Sequence, residues 1–415
     1  MSVGAGQAHV WLLNPFDALP DERWGHRNSL QIATVLAEAG IRVTWVAADF
    51  AHFGKVRRDR RWHGAEPLPG VRLHLVPVRP YRRHVGLARI GAYRDYARGV
   101  AAAAARLTPP TTVLLGAPTP FLDDVAVLLA AKASARLVVH LIDLWPELLE
   151  AVLPAPVRVA AFPFSAALRR ARRRALSAAD VVLAVSDEYA EAARAAGAPA
   201  HVPVRVVPFT TLDLAEVAAS ATVTPPATVP PRAADEVRVV YAGTLGEAYG
   251  IPELVDAARH LASTGTTGLR VLVAGDGPAR DLVTRAATGP AGRVLTYVGT
   301  MDKRHLYATL RDADAGLALY APGSTVSVPA KSFDYLGCGV PVIHTLGGGF
   351  AARLAAVGAG ERVPPGDAMA LAGALAALAA RPAADRARAR AAARALGAAL
   401  DWRQAYAAFV DTARD

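Results

Sequence analysis

The sequence predicts an α/β protein with two doubly wound domains, each built around a parallel β-sheet. Three observations support this prediction: short apolar strand patterns alternate with amphipathic helix patterns, the alternation restarts after a proline-rich segment, and glycines follow several strands. The strand patterns are nearly continuous apolar runs, as expected when helices cover both faces of a parallel sheet. A chain of 415 residues, 53% of them apolar, is long enough to bury two such cores.

In the first half of the chain, strand patterns are separated by helix patterns. The strands read HVWLLNP, IRVTWVAAD, VRLHLVPV, TTVLLGAP, ARLVVHLID and DVVLAVS. The segments between them have helix patterns, and the one that ends near Ser177 is long. A last apolar run, VRVVPFTTLDL, closes this half, so we assign residues 1–212 to the first domain.

The segment 220–236 is rich in proline, alanine and threonine, which is typical of an exposed connector or an extended loop. Alternation then resumes with VRVVYAGTLG, LRVLVAGDGP, VLTYVGTM, AGLALYAP and VPVI, and we assign residues 213–395 to a second domain. In residues 396–415, Trp402, Tyr406 and Phe409 form an apolar stripe at helical spacing. We expect this C-terminal helix to pack back on the first domain, and the alternative is an interface helix.

Composition and patterning exclude several classes of protein. Cys338 is the only cysteine, which excludes a disulfide framework and a cysteine-rich zinc site. No cluster of metal ligands is visible, and we expect neither a metal nor a cofactor. The N-terminus lacks the basic and apolar regions of a signal peptide, and the apolar runs are too short or interrupted to span a bilayer. We therefore expect a cytoplasmic protein.

Positive charge is concentrated in the first half. The net charge is +10, and residues 1–210 contain 26 lysines and arginines against 17 aspartates and glutamates. The runs KVRRDRR, RPYRR and LRRARRR suit contact with an anionic membrane at its inner face, and the alternative is a solvated basic surface. No nucleic-acid-binding signature accompanies this charge, so we expect no nucleic-acid partner.

Glycines follow three strands of the second domain, as Gly243, as Gly275 with Gly277, and as Gly299. The carboxyl ends of parallel strands form the ligand crevice of such a sheet. Glycine lets the backbone approach a ligand there, and the next helix presents free N–H groups to phosphate. None of these turns matches the dinucleotide or P-loop motifs, which argues against both of those classes.

The stretch STVSVPAKSFDYLGCGVPVI adds a fourth strand-to-helix turn. Its Lys331 and Asp334 are three residues apart and so share one face of the predicted helix. A lysine can neutralise a diphosphate, and an aspartate can accept hydrogen bonds from a ribose diol. The alternative is an ordinary ion pair on the helix surface. This stretch therefore predicts a nucleotide-sugar site.

The order of these motifs resembles the C-terminal domain of GT-B retaining glycosyltransferases of family 4. The branch it resembles most contains bacterial surface-polysaccharide enzymes with a Pro-x-Lys-x-x-Glu-Tyr-Leu motif, and HLIDLWPELL resembles that branch's Asp-Leu-Trp-Pro-Glu segment. The resemblance implies two Rossmann-like domains facing across a cleft. It also implies a hexosyltransferase that moves a sugar, with retention, from a nucleoside-diphosphate sugar to a hydroxyl acceptor. The acceptor is a lipid-linked glycan or a small natural product such as an aminocyclitol.

The resemblance assigns the donor site to the second domain. It places Asp334 where the family has a ribose-binding glutamate and Lys331 near the diphosphate, where the lysine also counts as catalytic. The remaining expected donor contacts are Gly243, Thr244, Gly275, Gly277, Gly299, Thr300, Met301 and Ser327, with Gly25 and Arg27 from the first domain.

Three positions depart from the family pattern. Thr244 and Tyr249 stand where members often have an arginine and a lysine facing the diphosphate, and Val326 stands where a glutamate is expected. Compensation of the diphosphate charge is therefore expected to depend on Lys331 and on backbone N–H groups.

His140 and Asp143 follow a strand of the first domain, and we assign them as further catalytic candidates. Asp143 is the expected acceptor contact. The alternatives are a buried core histidine and an aspartate that caps the next helix. Two other functions also stay open: a nucleotide-sugar epimerase of the same shape, and a non-catalytic sugar-nucleotide-binding protein.

Overall fold

The computed structural model describes residues 8–22, 27–82, 86–117, 119–147, 150, 154–323 and 330–414. The chain divides into two compact units. The first unit runs up to Phe209 and resumes at Ala405, and the second unit is Thr210–Gln404.

The first unit contains one large parallel sheet and a short antiparallel pair. Its strands are β1 (His9–Leu13), β2 (Arg42–Ala48), β3 (Phe50–Ala51), β4 (Val56–Arg57), β5 (Val71–Val76), β6 (Thr112–Ala117), β7 (Arg136–Leu141), β8 (Val181–Ala184) and β9 (Val204–Val206). Its helices are α1 (Asn28–Glu38), α2 (Leu87–Ala103), α3 (Leu122–Ala133), α4 (Ala155–Ala178) and α5 (Asp187–Ala195), with a 3-10 turn at Arg60–Trp62. The parallel sheet has the order β5-β2-β1-β6-β7-β8-β9, and β3 pairs with β4.

The central strands of this sheet are buried along their whole length, because apolar residues point to both faces. Every residue of β1, β6 and β8 is buried. Trp11 and Trp45 are among the largest fully buried side chains, and the Trp11 indole Nε1 donates to the carbonyl of Thr108 at 3.1 Å. The continuous apolar runs of the sequence thus become the core between two helical layers.

The second unit repeats the plan with six parallel strands. They are β10 (Val237–Ala242), β11 (Leu269–Ala274), β12 (Leu295–Gly299), β13 (Ala315–Ala318), β14 (Val342–His344) and β15 (Gly360–Arg362). The helices are α6 (Leu214–Ala219), α7 (Ile251–Ser263), α8 (Arg280–Thr288), α9 (Lys303–Arg311), α10 (Ala330–Gly337), α11 (Gly348–Ala356), α12 (Ala368–Ala380) and α13 (Ala383–Ala399), with a 3-10 turn at Pro290–Arg293. The last helix, α14 (Trp402–Arg414), begins in the second unit and continues into the first. The prediction of two doubly wound parallel α/β domains is confirmed.

The strand order of the second sheet, β12-β11-β10-β13-β14-β15, reverses direction between β10 and β13. Such a reversal sends the following loops to opposite sides and opens a crevice at the carboxyl ends of the two strands. This is the place in the second unit where a ligand is expected.

The proline-rich segment 220–236 is a mostly exposed loop, as expected, and it is anchored to the second unit at several points. Val229 is buried in the core of this unit, and the Arg232 guanidinium lies 2.6 Å from the Asp314 carboxylate. The Arg238 guanidinium donates to the carbonyl of Pro230 at 3.0 Å. Composition predicted the extended backbone but not these anchors, which come from distant strands.

Helix α14 belongs to both units. Trp402 is buried in the second unit, where its backbone N–H donates to the carbonyl of Leu212 at 3.0 Å. Tyr406 and Phe409 are buried in the first unit, and the Phe409 ring meets the His140 ring edge-on at 5.0 Å. Arg136 also donates to the carbonyl of Thr412 at 2.7 Å, so the end of the chain completes the core of the first unit.

Replacing Phe409 with alanine tests this closure. We expect Phe409→Ala to lower the free energy of unfolding of the first unit by about 3–4 kcal/mol, because it leaves a cavity beside β7. Urea unfolding followed by tryptophan fluorescence measures the change. Met369→Ala in the second unit is the control, since 57% of Met369 is exposed. Equal unfolding midpoints for the two variants would contradict the assignment.

Candidate functional site

The second unit has an open pocket of about 370 Å³ at the carboxyl ends of its strands. A cavity of this size lies within the range of small-molecule sites. Among the residues predicted from the sequence, those that line it are Gly243, Thr244, Gly275, Thr300, Met301, Lys331 and Asp334. The structure therefore brings together residues from four separate strand-to-helix turns.

Two of these turns need glycine because their backbones touch. Gly243 and Gly275 have φ angles of +139° and +145°, which L side chains rarely adopt. A Cβ atom added to Gly275 would lie 1.9 Å from the carbonyl oxygen of Gly243. This close approach places backbone groups of both turns beside the pocket and leaves no room for a side chain.

Lys331 enters the pocket from α10 and lies in a cage of three tyrosine rings. Its Nζ lies 4.2 Å from the ring centre of Tyr241, 4.4 Å from that of Tyr249 and 5.3 Å from that of Tyr320. It also donates to the Tyr241 hydroxyl at 3.2 Å. Rings attract a cation weakly compared with a carboxylate, and the described residues place no carboxylate within ion-pair distance of this ammonium.

Burial is the cause that lowers the pKa of Lys331 to about 7. A charged ammonium that loses its water without gaining an anion is destabilised, and the neutral amine becomes accessible near physiological pH. The Lys331 ammonium is thus desolvated without a carboxylate partner among the described residues, and an anionic ligand would stabilise its charged form.

Asp334 faces the same pocket but does not pair with Lys331. Its Oδ1 accepts a hydrogen bond from the Tyr307 hydroxyl at 2.9 Å and lies 3.7 Å from Nζ of Lys303. Lys303 in turn lies 3.0 Å from a carboxylate oxygen of Glu216. Burial raises the pKa of Asp334, and the positive charge of Lys303 opposes that rise. The alternative of an ion pair between Lys331 and Asp334 is therefore wrong.

The remaining predicted donor residues differ in whether they line the pocket. Thr300 and Met301 line the pocket, whereas Gly277 and Gly299 lie on the neighbouring turns and are not part of its lining. Ser327 and Gly25 lie outside the described residues. Arg27 is exposed in the first unit, where its carbonyl accepts the Gln31 N–H at the start of α1.

Of the three positions that depart from the family pattern, Val326 lies outside the described residues, whereas Thr244 and Tyr249 make the pocket wall neutral and partly aromatic. Thr244 lines the pocket, and its carbonyl accepts a hydrogen bond from the Tyr241 hydroxyl at 2.8 Å. Tyr249 packs its ring against Tyr320 at 5.5 Å and against the Lys331 ammonium. Lys331 is consequently the only cationic side chain among the described residues that line this pocket.

In the first unit, His140 is a buried residue of β7. Its ring packs against Phe409, and burial lowers the pKa to about 3, so the imidazole stays neutral at physiological pH. This placement agrees with the core-histidine alternative stated above, and it leaves the ring with 3% exposure.

Asp143 lies just beyond β7 in a partly buried position. Its Oδ1 accepts the backbone N–H of Leu144 at 3.1 Å, which agrees with a local turn. Burial raises the pKa of Asp143, and the neighbouring Arg89 partly offsets the rise. The Arg89 guanidinium stacks over Tyr93 at 5.3 Å and over Trp145 at 5.4 Å. Asp143 therefore shares a charged and aromatic cluster of the first unit.

The sequence reasoning missed the tyrosines that surround the two charged residues. Tyr241, Tyr249 and Tyr320 enclose the ammonium, while Tyr307 and Lys303 hold Asp334. The available signal was that Tyr241 and Tyr320 both stand at the carboxyl ends of strands bordering the switch point. A tyrosine in such a strand is also typical of the core, so its type alone did not indicate a role.

Comparison with family models covers both units. Residues 26–210 match the model described as glycosyl transferase 4-like domain. Residues 236–381 match the model described as glycosyl transferases group 1, and this range contains the whole pocket. The chain is a glycosyltransferase. No curated protein sequence matches this glycosyltransferase significantly.

Solved structures support the GT-B fold of this glycosyltransferase. HepE from Anabaena in complex with UDP is 15% identical, with 98% of this chain and 99% of that chain covered and a TM-score of 0.63. Sucrose-phosphate synthase from Thermosynechococcus elongatus is 19% identical, with 98% of both chains covered and a TM-score of 0.60. The α,α-trehalose-phosphate synthase (UDP-forming) from Burkholderia vietnamiensis is 14% identical, with 98% and 100% covered and a TM-score of 0.63. At these identities the likeness concerns the fold.

The desolvated ammonium of Lys331 predicts how the stability of the glycosyltransferase depends on pH. In the unfolded chain Lys331 has its ordinary pKa of 10.5, and in the folded protein it has a pKa of about 7. Below pH 7 the lysine is charged in both states, so the folded state bears the full cost of desolvation. Between pH 7 and pH 10.5 the unfolded state binds more protons than the folded state. The free-energy cost of the buried charge therefore decreases as the pH rises through this range.

We therefore expect Lys331→Met to be more stable than the parent protein, most of all below pH 7, with the difference shrinking toward pH 10.5. Urea unfolding of the ligand-free proteins across this range measures it. Lys132→Met is the control, because Lys132 is exposed and its replacement should show no such trend. A destabilised Lys331→Met at low pH would contradict the analysis.

Proposed function

We propose that the pocket of the second unit binds the nucleoside diphosphate of an activated sugar, and that the enzyme transfers the hexose with retention to a hydroxyl acceptor. The observation that supports this proposal is the buried ammonium of Lys331, which faces two glycine turns without an anionic partner among the described residues. A diphosphate would supply that partner.

The leaving diphosphate is the part of the donor that most needs the protein. Negative charge grows on it as the glycosidic bond breaks, and a preorganised positive charge in a partly desolvated pocket stabilises that charge. A Cβ atom on Gly243 would lie 3.4 Å from the Lys331 Nζ, so the glycine keeps the backbone close to the ammonium. Binding of the anion favours the charged lysine and draws its pKa back toward the ordinary value.

Asp334 is the proposed contact of the ribose. Its Oδ1 accepts from Tyr307, whereas Oδ2 has no hydrogen bond to the described residues, which leaves that oxygen for a diol. Tyr307 and Lys303 fix the orientation of the carboxylate and keep it from turning toward Lys331. An aspartate is shorter than the glutamate of the family pattern, and Asp334→Glu would extend the reach by one methylene.

The acceptor is assigned to the first unit, where Asp143 is the candidate contact of its hydroxyl. In the proposed chemistry the sugar leaves the diphosphate while the acceptor oxygen forms the new bond on the same face. The leaving phosphate takes up the acceptor proton, so no protein nucleophile is required. A lipid-linked glycan and a soluble natural product both remain acceptors to be tested.

A panel of nucleoside diphosphates tests the donor site. We expect one of them to raise the melting temperature, because a ligand that binds only the folded state stabilises it by mass action. UDP is the first to try, since HepE was solved with UDP. Lys331→Met should lose the shift and Lys132→Met should keep it. A retained shift in Lys331→Met would contradict the assignment of the diphosphate site.

The stereochemical outcome tests the reaction class. Slow hydrolysis of the bound sugar nucleotide should release first the anomer with the configuration of the donor, as proton NMR of the anomeric region records. Release of the opposite anomer first would contradict retention. An isomerised sugar nucleotide would instead indicate an epimerase, and tight binding without turnover toward any acceptor would indicate a sensor.

A further inference from the structure

The N-terminal half of α4 is apolar and largely exposed. Val157 is 49% exposed, Val159 is 74% exposed and Phe162 is 63% exposed. Between Ala155 and Leu168 the only charged residue is Arg158, which is also exposed. Single exposed apolar residues are ordinary on soluble proteins, but Val159 and Phe162 are three residues apart and share one face of the helix, and a cluster of exposed apolar residues indicates an interaction site.

This helix borders an open groove of about 520 Å³ in the first unit. Helix α2 forms the other wall, and its first residue, Leu87, is 86% exposed. The groove combines apolar and cationic side chains: Leu87, Ile90, Arg94, Arg98, Ala161 and Phe164. The exposed apolar residues of the two helices therefore adjoin one cationic groove.

The arginines of the groove differ in whether they are neutralised. Arg79 is bound to Asp95, with its Nε 2.7 Å from a carboxylate oxygen. Arg94 and Arg98 are exposed and have no carboxylate within 4.0 Å among the described residues. The Arg94 guanidinium stacks on the ring of Phe121, 4.9 Å from the ring centre, and the ring centres of Phe121 and Phe164 are 6.3 Å apart. These contacts hold the Arg94 guanidinium at the groove. Two positive charges are thus available to an anionic group.

We propose that this face docks peripherally on an anionic lipid bilayer. Val159, Phe162 and Leu87 enter the boundary between headgroups and acyl chains, while Arg94 and Arg98 bind a lipid phosphate in the groove. Apolar residues flanked by arginines are the combination that binds interfacially to anionic membranes. No helix in the described ranges is long and apolar enough to cross a bilayer.

Charge complementarity favours a membrane over a protein partner. Each arginine near an anionic surface strengthens binding by about fivefold, and the surplus of arginine in the first half adds long-range attraction. The proposal is independent of the donor site, because all of its residues belong to the first unit.

Vesicle flotation of the full chain tests the proposal. We expect binding to vesicles of phosphatidylcholine with phosphatidylglycerol, and little binding to phosphatidylcholine alone. Phe162→Ser with Val159→Ser should weaken binding by about tenfold through lost apolar insertion. Arg94→Gln with Arg98→Gln should weaken it most at low salt, where charge is least screened. Val357→Ser with Met369→Ser is the matched control, because these residues are 44% and 57% exposed in the second unit.

Three outcomes would overturn the proposal. They are equal binding to both vesicle types, equal loss in the control variant, and a dimer in solution that the Phe162→Ser and Val159→Ser changes dissolve. A dimer of that kind would show that a second copy covers the helix. The shift in melting temperature with nucleoside diphosphate should be unchanged in every surface variant. This measurement therefore tests the proposed donor site independently of the vesicle binding that tests the membrane proposal.

Discussion

The buried ammonium of Lys331 is the interaction on which the site of the second unit depends. Three tyrosine rings and one hydroxyl surround it, and they compensate only part of the hydration that it has lost. The folded protein therefore retains an unfavourable charge in its pocket. Enzymes commonly accept such local cost where it favours binding of a charged ligand.

The packing around α10 and the glycine turns determines where the Lys331 ammonium lies. Tyr335, buried beneath it, accepts the backbone N–H of Ala242 and donates to the carbonyl of Leu317, which ties α10 to the two strands at the switch point. That anchoring sets the position of Lys331. The contact between the turns of Gly243 and Gly275 then brings backbone groups to the opposite side. With Thr244 and Tyr249 in place of the cations of the family pattern, charge compensation is concentrated on a single residue.

The first unit distributes its polar groups differently. His140 is a neutral part of the core, whereas Asp143, Arg89 and their aromatic neighbours form a charged cluster beyond β7. A second group of arginines, on α2, lies beside exposed apolar residues of α2 and α4. Positive charge in the first half therefore occurs in at least two separate clusters, which the net charge alone would not distinguish.

The sequence by itself determined the fold class and most of the lining of the pocket in the second unit, because strand and helix periodicity and the positions of glycines after strands are local properties. The alternation predicts both parallel sheets, and the glycines after strands predict that the turns at Gly243, Gly275 and Thr300 meet at one ligand site, where they do line the pocket. Tertiary structure decided the partners of each charge. Lys331 and Asp334 share a helix face yet turn to different tyrosines, because residues from four other segments compete with the local pair. His140 is a core residue for the same reason: Phe409, 269 positions away, covers it.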